Sequence, residues 1–466
     1  MDALERCSQR EGGSDAKRPR RKWRINNLIG KVVPLILLTY IVAAYKLVVI
    51  EHGYKDRYKT RGQVLSVLLH LLPAHLIFLL ALRAYLHIYL SHSSSSSSSA
   101  HFLTRLLGAR RPALPKYPPS DWRNRIFECD AAGRPSRCWR DACNGNWKPP
   151  RTRHCGDCGT CRAGLDHHCP WFDADVQIPL TSPSFLHFLI LVPLLYLFAL
   201  FPMFGIAWRH TRLIWIWACD VDNVQSREWW ANKWTWMGGP VWRWVGGWIV
   251  ASRSYTATSA QITSSHSKLV AIPNWTMPLV VTSGAGLVFI ALALLFSSLS
   301  SLMQGQTTID MERRKAYSRH VRSVERKRTT SSGDSAGVRG REDDSLAAPH
   351  SGAMPDTDEE TLRRLSPILY FWVPLALIDE EKSTNDYDAD QLDHHIDAQH
   401  VSVQEGGIVL PTLLQERPYD LGDAWSNLKL ALGMSKASDE DEQWTLDALV
   451  EARLKATAAR ILHKSR

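Results

Sequence analysis

The chain has 466 residues, 45% of them hydrophobic, with 19 tryptophans and a formal net charge of +10. That length allows two or three domains, and a mean hydropathy of −0.20 excludes a uniformly apolar chain while permitting apolar spans diluted by polar tails. The positive balance asks for an anionic partner, and a membrane surface fits better than nucleic acid, because no nucleic-acid-binding motif accompanies the charge.

Residues 1–31 read as a basic, cytosolic N-terminal tail, with Lys17, Arg18, Arg20, Arg21, Lys22 and Arg24 ahead of the first apolar run. The run is too long for a signal peptide, and no small-residue cleavage site follows it. Val32 to Ile50, broken only by Lys46 near its far end, predicts a first membrane span. A polar loop from Glu51 to Gln63 is expected next, then a second span from Val64 to about Leu82, so that 32–90 holds the first two helices. His70 and His75 inside the second span either line a cavity or are partnered histidines on a helix face. From Ser91 to Ser120 a serine tract and a Pro-rich stretch read as linker.

The chemistry is concentrated between Arg151 and Trp171, RTRHCGDCGTCRAGLDHHCPW, which holds His154, Cys155, Cys158, Cys161, Asp166, His167, His168 and Cys169. Thiolate and imidazole at such short spacings fit tetrahedral zinc, whereas a disulfide cluster would need an oxidising compartment. Seven of the nine cysteines lie between Cys129 and Cys169, leaving Cys7 and Cys219 alone. Within the run, Cys169 beside an imidazole is a candidate nucleophile, and an adjacent carboxylate can hold that imidazole in the useful tautomer.

Lys148-Pro149-x-Arg151, His154-Cys155, the Cys158 and Cys161 spacing, Asp166-His167-His168-Cys169 and Pro170-Trp171 together resemble the DHHC protein S-acyltransferases, or palmitoyltransferases, in a divergent, fungal-like form. The resemblance covers most of residues 30 to 433, more weakly outside the cysteine-rich core. It implies that Cys169 takes a fatty acyl group from palmitoyl-CoA or a similar long-chain acyl-CoA, with His167 as base and Asp166 as its orienter, while His168 binds zinc. It also implies two upstream ligands among Cys129, Cys138 and Cys143. Cys138 and Cys143 lie nearest the Lys148-Pro149 landmark, although their spacing exceeds the family's Cys-x-x-Cys. One zinc would then take Cys138, Cys143, His154 and Cys161, and another Cys155, Cys158 and His168. The second set is a ligand short, because Phe172-Asp173-Ala174-Asp175 stands where relatives carry a cysteine. Either Asp175 fills the fourth position, or Asp173 and Asp175 are solvated and the second site is absent.

Phe185 to Trp208 and Pro278 to Leu302 predict the third and fourth spans. The tryptophans between them, from Trp215 to Trp248, suit a loop at the membrane interface. Arg313, Arg314, Lys315, Arg319, Arg322, Arg326, Lys327 and Arg328 after the fourth span mark the cytosolic side, against which the basic loop with Lys55, Arg57, Lys59 and Arg61 counts. Thr307-Thr308-Ile309-Asp310 resembles the family's Thr-Thr-x-Glu, and Pro418-Tyr419-Asp420 to Gly433, including Asn427, its C-terminal motif. Thr329 to Arg363 and Asp379 to His400 have disordered composition. Leu365 to Leu377 is too short to span and should pack on the bilayer or the domain, and Trp444 to Leu462 predicts an amphipathic helix.

The expected fold is therefore an α-helical polytopic membrane protein: four transmembrane helices with a cytosolic Cys-rich zinc-binding insert between helices 2 and 3. The linker and catalytic insert occupy 91–184, spans three and four with the Trp-rich loop 185–302, and a partly disordered cytosolic region with a C-terminal helix 303–466. The expected function is protein S-acylation through acyl-Cys169 on cysteines of membrane-associated proteins, with one or two structural zinc ions, at an endomembrane or the plasma membrane. The competing expectation is a scaffold that keeps zinc knuckles for folding and partner binding without catalysis.

Overall fold

The structure is a computed structural model that describes residues 25–93, 114, 118–138, 140, 143, 145–220, 222–259, 276–334, 368–378, 402–404, 406–434 and 446–465. Four helical units are long and apolar enough to cross a membrane: Val32–Thr60, Val64–Ser91, Ser182–Ala218 and Thr276–Met303. Large apolar side chains such as Leu72, Phe289 and Phe296 point outward and are exposed. That is the inverse of a water-soluble bundle and suits a solvent as apolar as the core.

Helix α1 (Ile25–Tyr45) continues without a break as a π-helix over Lys46–Thr60. The expected polar loop from Glu51 to Gln63 therefore shrinks to a turn at 61–63, with Gly62 at φ 63°. Ion pairs Lys55–Glu51 at 2.9 Å and Arg61–Asp56 at 3.2 Å let this polar stretch stay wound. Helix α2 (Val64–Ser93) passes its expected end near Leu82. His70 Nε2 lies 3.2 Å from Ala199 O and His75 Nδ1 2.7 Å from Leu71 O, so both histidines are partnered, and each also lines a cavity.

The insert between the second and third apolar units is built from short strands. These are β1 (Phe127–Cys129), β2 (Arg137–Cys138) with β3 (Asn146–Trp147), β4 (Arg153–Cys155) with β5 (Thr160–Arg162), and β6 (Leu165–Cys169) with β7 (Ala174–Gln177). Gly164, at φ 59°, is required between β5 and β6, because a Cβ there would lie 2.0 Å from Ile178 O.

Helices α3 (Ser182–Ala199) and α4 (Phe204–Ala218) are separated by a short turn at Pro202, which cannot donate the backbone hydrogen bond that continuation needs. The Trp-rich segment is helical where a loop was expected: α5 (Val224–Ala231) and α6 (Gly239–Ser259) fold back on α4. Tryptophans pin that fold, with Trp215 stacked on Trp244 at 5.0 Å and Trp217 Nε1 donating to Ser254 at 2.8 Å. Trp234, Trp236 and Trp242 stay more than half exposed, as an interfacial position allows.

Helices α7 (Thr276–Met303) and α8 (Thr308–Asp334) follow; residues 329–334 of the expected disordered stretch are thus helical. Strands β8 (Ile368–Pro374), β9 (Ser402–Gln404) and β10 (Gly407–Leu413) join β1 in an antiparallel sheet of order β1-β8-β10-β9. The Leu365 to Leu377 segment is therefore mainly a strand within the domain. Its Phe371 and Val373 form a core with Ile126, Ile408 and Leu410. Helix α9 (Ala424–Ala431) packs against α7, and α10 (Ala448–Ser465) buries Val450, Leu454 and Ala458 in the sheet's core. The basic tail before residue 25, Cys7, Asp379 to His400 and residues 335–363 lie outside the described residues, as do 94–113 of the expected linker.

Candidate active site and metal centres

Hairpin register decides which side chains meet. Successive residues of a strand face opposite ways, and directly opposed residues of an antiparallel pair sit about 5 Å apart at Cβ. On the β4–β5 hairpin His154 is opposite Cys161. His154 Nδ1 lies 3.5 Å from Cys138 Sγ, 3.4 Å from Cys143 Sγ and 3.9 Å from Cys161 Sγ. The long Cys138 to Cys143 spacing is accommodated by a turn in which Cys143 N donates to Arg140 O at 3.0 Å. Cys129 stands apart from this group, paired in β1 with Tyr370, and burial pushes its thiol up.

The next residue of β4, Cys155, joins a different group. On the β6–β7 hairpin His168 is opposite Asp175, and His168 Nδ1 approaches Asp175 Oδ1 to 3.0 Å. Cys158 Sγ lies 3.4 Å from His168 Nδ1 and 3.1 Å from Asp175 Oδ1. The donor atoms of Cys138, Cys143, His154 and Cys161, and separately those of Cys155, Cys158, His168 and Asp175, all lie within 4.8 Å of one another. Tetrahedral zinc, with bonds of about 2.0 to 2.3 Å, spaces its ligands roughly 3.3 to 3.8 Å apart, so either group can hold an ion. Asp175 is completely buried, which rules out the solvated-loop alternative for this residue. Asp173 is 35% exposed, its Oδ1 3.8 Å from His168 Nε2.

Electrostatics distinguish the members of the second group. Burial acts to raise the Asp175 carboxyl, but hydrogen bonds from His168, Cys158 and Arg162 hold it below the usual carboxylate range. Burial likewise acts to lower His168, yet hydrogen bonds to Asp175 and Cys155 bring it up to about 10. The hydrogen bond between Cys155 and Cys158 draws Cys155 down to about 6 and pushes Cys158 up. Such proton sharing suits a cluster whose ligands must be deprotonated to bind a cation.

The other face of β6 carries different chemistry. Leu165 pairs with Gln177 and His167 with Val176, so Asp166 is an extra residue in a β-bulge. The bulge turns Asp166 toward its own neighbour, and its Oδ2 lies 2.7 Å from His167 Nδ1. Thr308, the first residue of α8, donates to the same carboxylate from its backbone N–H at 2.7 Å and its hydroxyl at 3.1 Å. A carboxylate there also meets the favourable end of the helix dipole. His167 and Cys169, two apart on one strand, share a face and a hydrogen bond. Burial acts to lower His167, but Asp166 and Cys169 outweigh it and hold the imidazole up at about 10.

Cys169 is buried in an apolar cluster with Ile88 of α2, Phe172, Phe185 and Leu189 of α3, and Ala291 of α7. The thiol thus sits where the insert meets the helical bundle. About 20 Å farther along α2 from Ile88, helices α1, α2, α3 and α7 enclose an apolar cavity of about 140 Å³ lined by residues including Tyr40, His75, Phe78, Tyr196 and Val288.

Behind the site runs a buried polar network. Arg153 of β4 pairs with Glu128 of β1 at 2.7 Å, and Tyr419 OH donates to Glu128 at 2.6 Å. Arg151 stacks over Tyr419 and donates to Gly305 O at 3.0 Å. Asn427 donates to Met303 O at 3.1 Å, so the two loosely matching C-terminal patches meet at the end of the fourth apolar helix. Asp310 joins through Arg153 at 3.8 Å. Glu128, Arg153 and Arg162 went unnoticed in the sequence. A charged residue embedded in a cysteine-rich run was the available signal, since burial would oblige it to find a partner.

Residues 134–315 match the family model described as DHHC palmitoyltransferase. The chain carries a DHHC palmitoyltransferase domain. The chain is 39% identical over 67 residues to palmitoyltransferase spe-10 of Caenorhabditis elegans, covering 14% of this chain and 17% of that protein. It is 29% identical over 153 residues to palmitoyltransferase PFA3 of Candida glabrata, covering 32% of this chain and 40% of that protein. Against PFA3 of Eremothecium gossypii the identity is 35% over 75 residues, 16% of this chain and 22% of the relative. The chain thus spans less than half the length of these curated relatives. The DHHC domain comprises the whole insert from β2 onward, α3 to α7 and the start of α8.

Proposed function

We propose that this chain is a protein S-acyltransferase that moves a long-chain acyl group, such as palmitoyl, from acyl-CoA to cysteines of membrane-associated proteins through an acyl-Cys169 intermediate. The observation that carries the reading is the chain of contacts from Thr308 through Asp166 and His167 to Cys169, placed at the apolar junction of insert and bundle. Asp166 fixes the His167 tautomer by taking Nδ1, leaving Nε2 for the thiol proton. Cys169 Sγ, its proton passed to His167, attacks the thioester carbonyl carbon; the carbon–sulfur bond to CoA breaks, and the CoA thiolate leaves with the proton from His167. A substrate thiol then gives its proton to His167 and attacks acyl-Cys169, whose thiolate leaves and recovers that proton. The apolar helices hold the acyl chain, and the cavity near Tyr196 receives its far end.

Zinc in the two clusters would supply folding energy and fix β4, β5 and β6 relative to one another; no step of the transfer needs it. The basic residues of α8 beside the fourth span, together with the basic N-terminal tail, favour an insert and both termini on the cytosolic side of an endomembrane or the plasma membrane. The domain division follows from the same topology: a basic tail, two spans, the catalytic insert, two spans with the tryptophan hairpin, and a C-terminal region that braces the insert. The reading is tested by supplying purified protein with labelled palmitoyl-CoA. Hydroxylamine-sensitive label on the wild type and none on Cys169→Ser is the expected result, and undiminished label on that variant would move the nucleophile elsewhere.

A further inference from the structure

We propose that Arg162 is a positioning residue that allows a carboxylate to occupy the fourth place of the second metal centre, where the first centre has a third thiolate. The proposal rests on the reading of Asp175 as a ligand. Arg162 follows Cys161 on β5; alternation sends Cys161 to the first cluster and Arg162 to the opposite face, toward the second. There Arg162 Nε donates to Asp175 Oδ2 at 2.8 Å, with side chains 9% and 0% exposed. Asp175 Oδ1 faces His168 Nδ1 at 3.0 Å.

That geometry selects between the two carboxylate oxygens. Cys158 Sγ lies near both oxygens, 3.1 Å from Oδ1 and 3.0 Å from Oδ2, but only Oδ2 accepts from the guanidinium; that hydrogen bond favours Oδ1 for the ion and disfavours two-oxygen chelation, which would crowd a tetrahedral site. A thiolate at position 175 would have no second acceptor for Arg162 to hold. Arg162 and Asp175 therefore act as a matched pair, each explaining the other.

The test uses full-length protein in detergent, with zinc per chain measured by mass spectrometry and affinity by chelator competition. Arg162→Val should weaken the second centre's zinc affinity about 10- to 100-fold, the usual cost of losing a partner that orients a ligand, while the first centre is unchanged. In an Asp175→Cys background the same Arg162→Val change should alter affinity by no more than about twofold. Equal losses in both backgrounds would make Arg162 a mere tie between β5 and β7 and overturn the proposal, as would unchanged zinc affinity in Arg162→Val alone. Should Arg162→Val fail to accumulate, Arg162→Lys keeps the charge without the fixed donor geometry, and its loss must again vanish with Asp175→Cys. Failure of the ligand reading has a separate signature: Asp175→Ala would then retain both zinc ions at wild-type affinity.

Discussion

The two clusters of the insert share a strand but are built on different chemistry. The first gathers three cysteines and His154, and the second two cysteines, His168 and a buried aspartate that also answers to an arginine. Soft thiolates grip zinc directly, whereas a carboxylate is a harder ligand whose remaining oxygen needs a partner. The first cluster is thus nearly self-sufficient. The second depends on residues around it, and its histidine stands next to His167, which shares a face of the strand with Cys169.

The largest expected effect comes from breaking the first cluster. Structural zinc contributes on the order of 10 kcal/mol in small zinc-dependent folds, and β4 carries His154 for one cluster and Cys155 for the other. Cys143→Ser should therefore cost both ions and leave residues 118–181 open to limited proteolysis, while Asp175→Ala should cost one ion and leave that region protected. Two retained ions in Cys143→Ser would show that the centre does not hold the insert together.

Next in size is the contrast between His167 and His168, which point to opposite faces of β6. His167→Ala should keep zinc and slow acylation of Cys169 by about 10² to 10⁴-fold, the usual contribution of a general base. His168→Ala should lose the second ion. Metal analysis alongside single-turnover acylation separates them, and matching zinc loss in both would end the division of labour.

What the sequence revealed and concealed follows from the range of each interaction. The four apolar units are legible because a bilayer demands long apolar runs, and the clusters because ligand pairs lie close along the chain. The winding of residues 51–60 was hidden, because their polarity reads as loop unless the Lys55–Glu51 and Arg61–Asp56 pairings are known. The sheet that joins Phe127–Cys129 to Ile368–Pro374 was hidden as well, since its strands meet across more than two hundred residues. Arg162 was concealed for the same reason on a smaller scale: its partner lies on another hairpin, and only the register aligns them.

A smaller effect tests whether the bracing network serves both clusters alike. Burial acts to raise Glu128, but the Arg153 charge and the Tyr419 and Arg153 hydrogen bonds hold it below the usual glutamate range. A carboxyl depressed in the folded state stabilises it above the unfolded value of about 4.3, and that contribution is lost as pH falls through the folded value. Glu128→Gln should cost about 1.5 to 3 kcal/mol at neutral pH, with the gap to wild type narrowing below about pH 4. Because Arg153 anchors β4, both clusters should release zinc more readily in this variant. A change confined to the second would break the comparison.

The smallest effect sharpens it most. Asp173 and Asp175 stand two apart after Cys169, and both offer a carboxylate to His168. Their surroundings differ: Asp175 is fully buried and paired with Arg162, whereas Asp173 is 35% exposed and 3.8 Å from His168 Nε2. Solvent-exposed ion pairs at such distances are worth roughly 0.2 to 1 kcal/mol. Asp173 also adopts φ 48°, a left-handed conformation that asparagine tolerates as readily as aspartate. Asp173→Asn should therefore leave both zinc ions bound and shift the second centre's affinity by less than about fivefold. Loss of an ion in this variant would place Asp173 among the ligands and displace Asp175 from the role its burial assigns it.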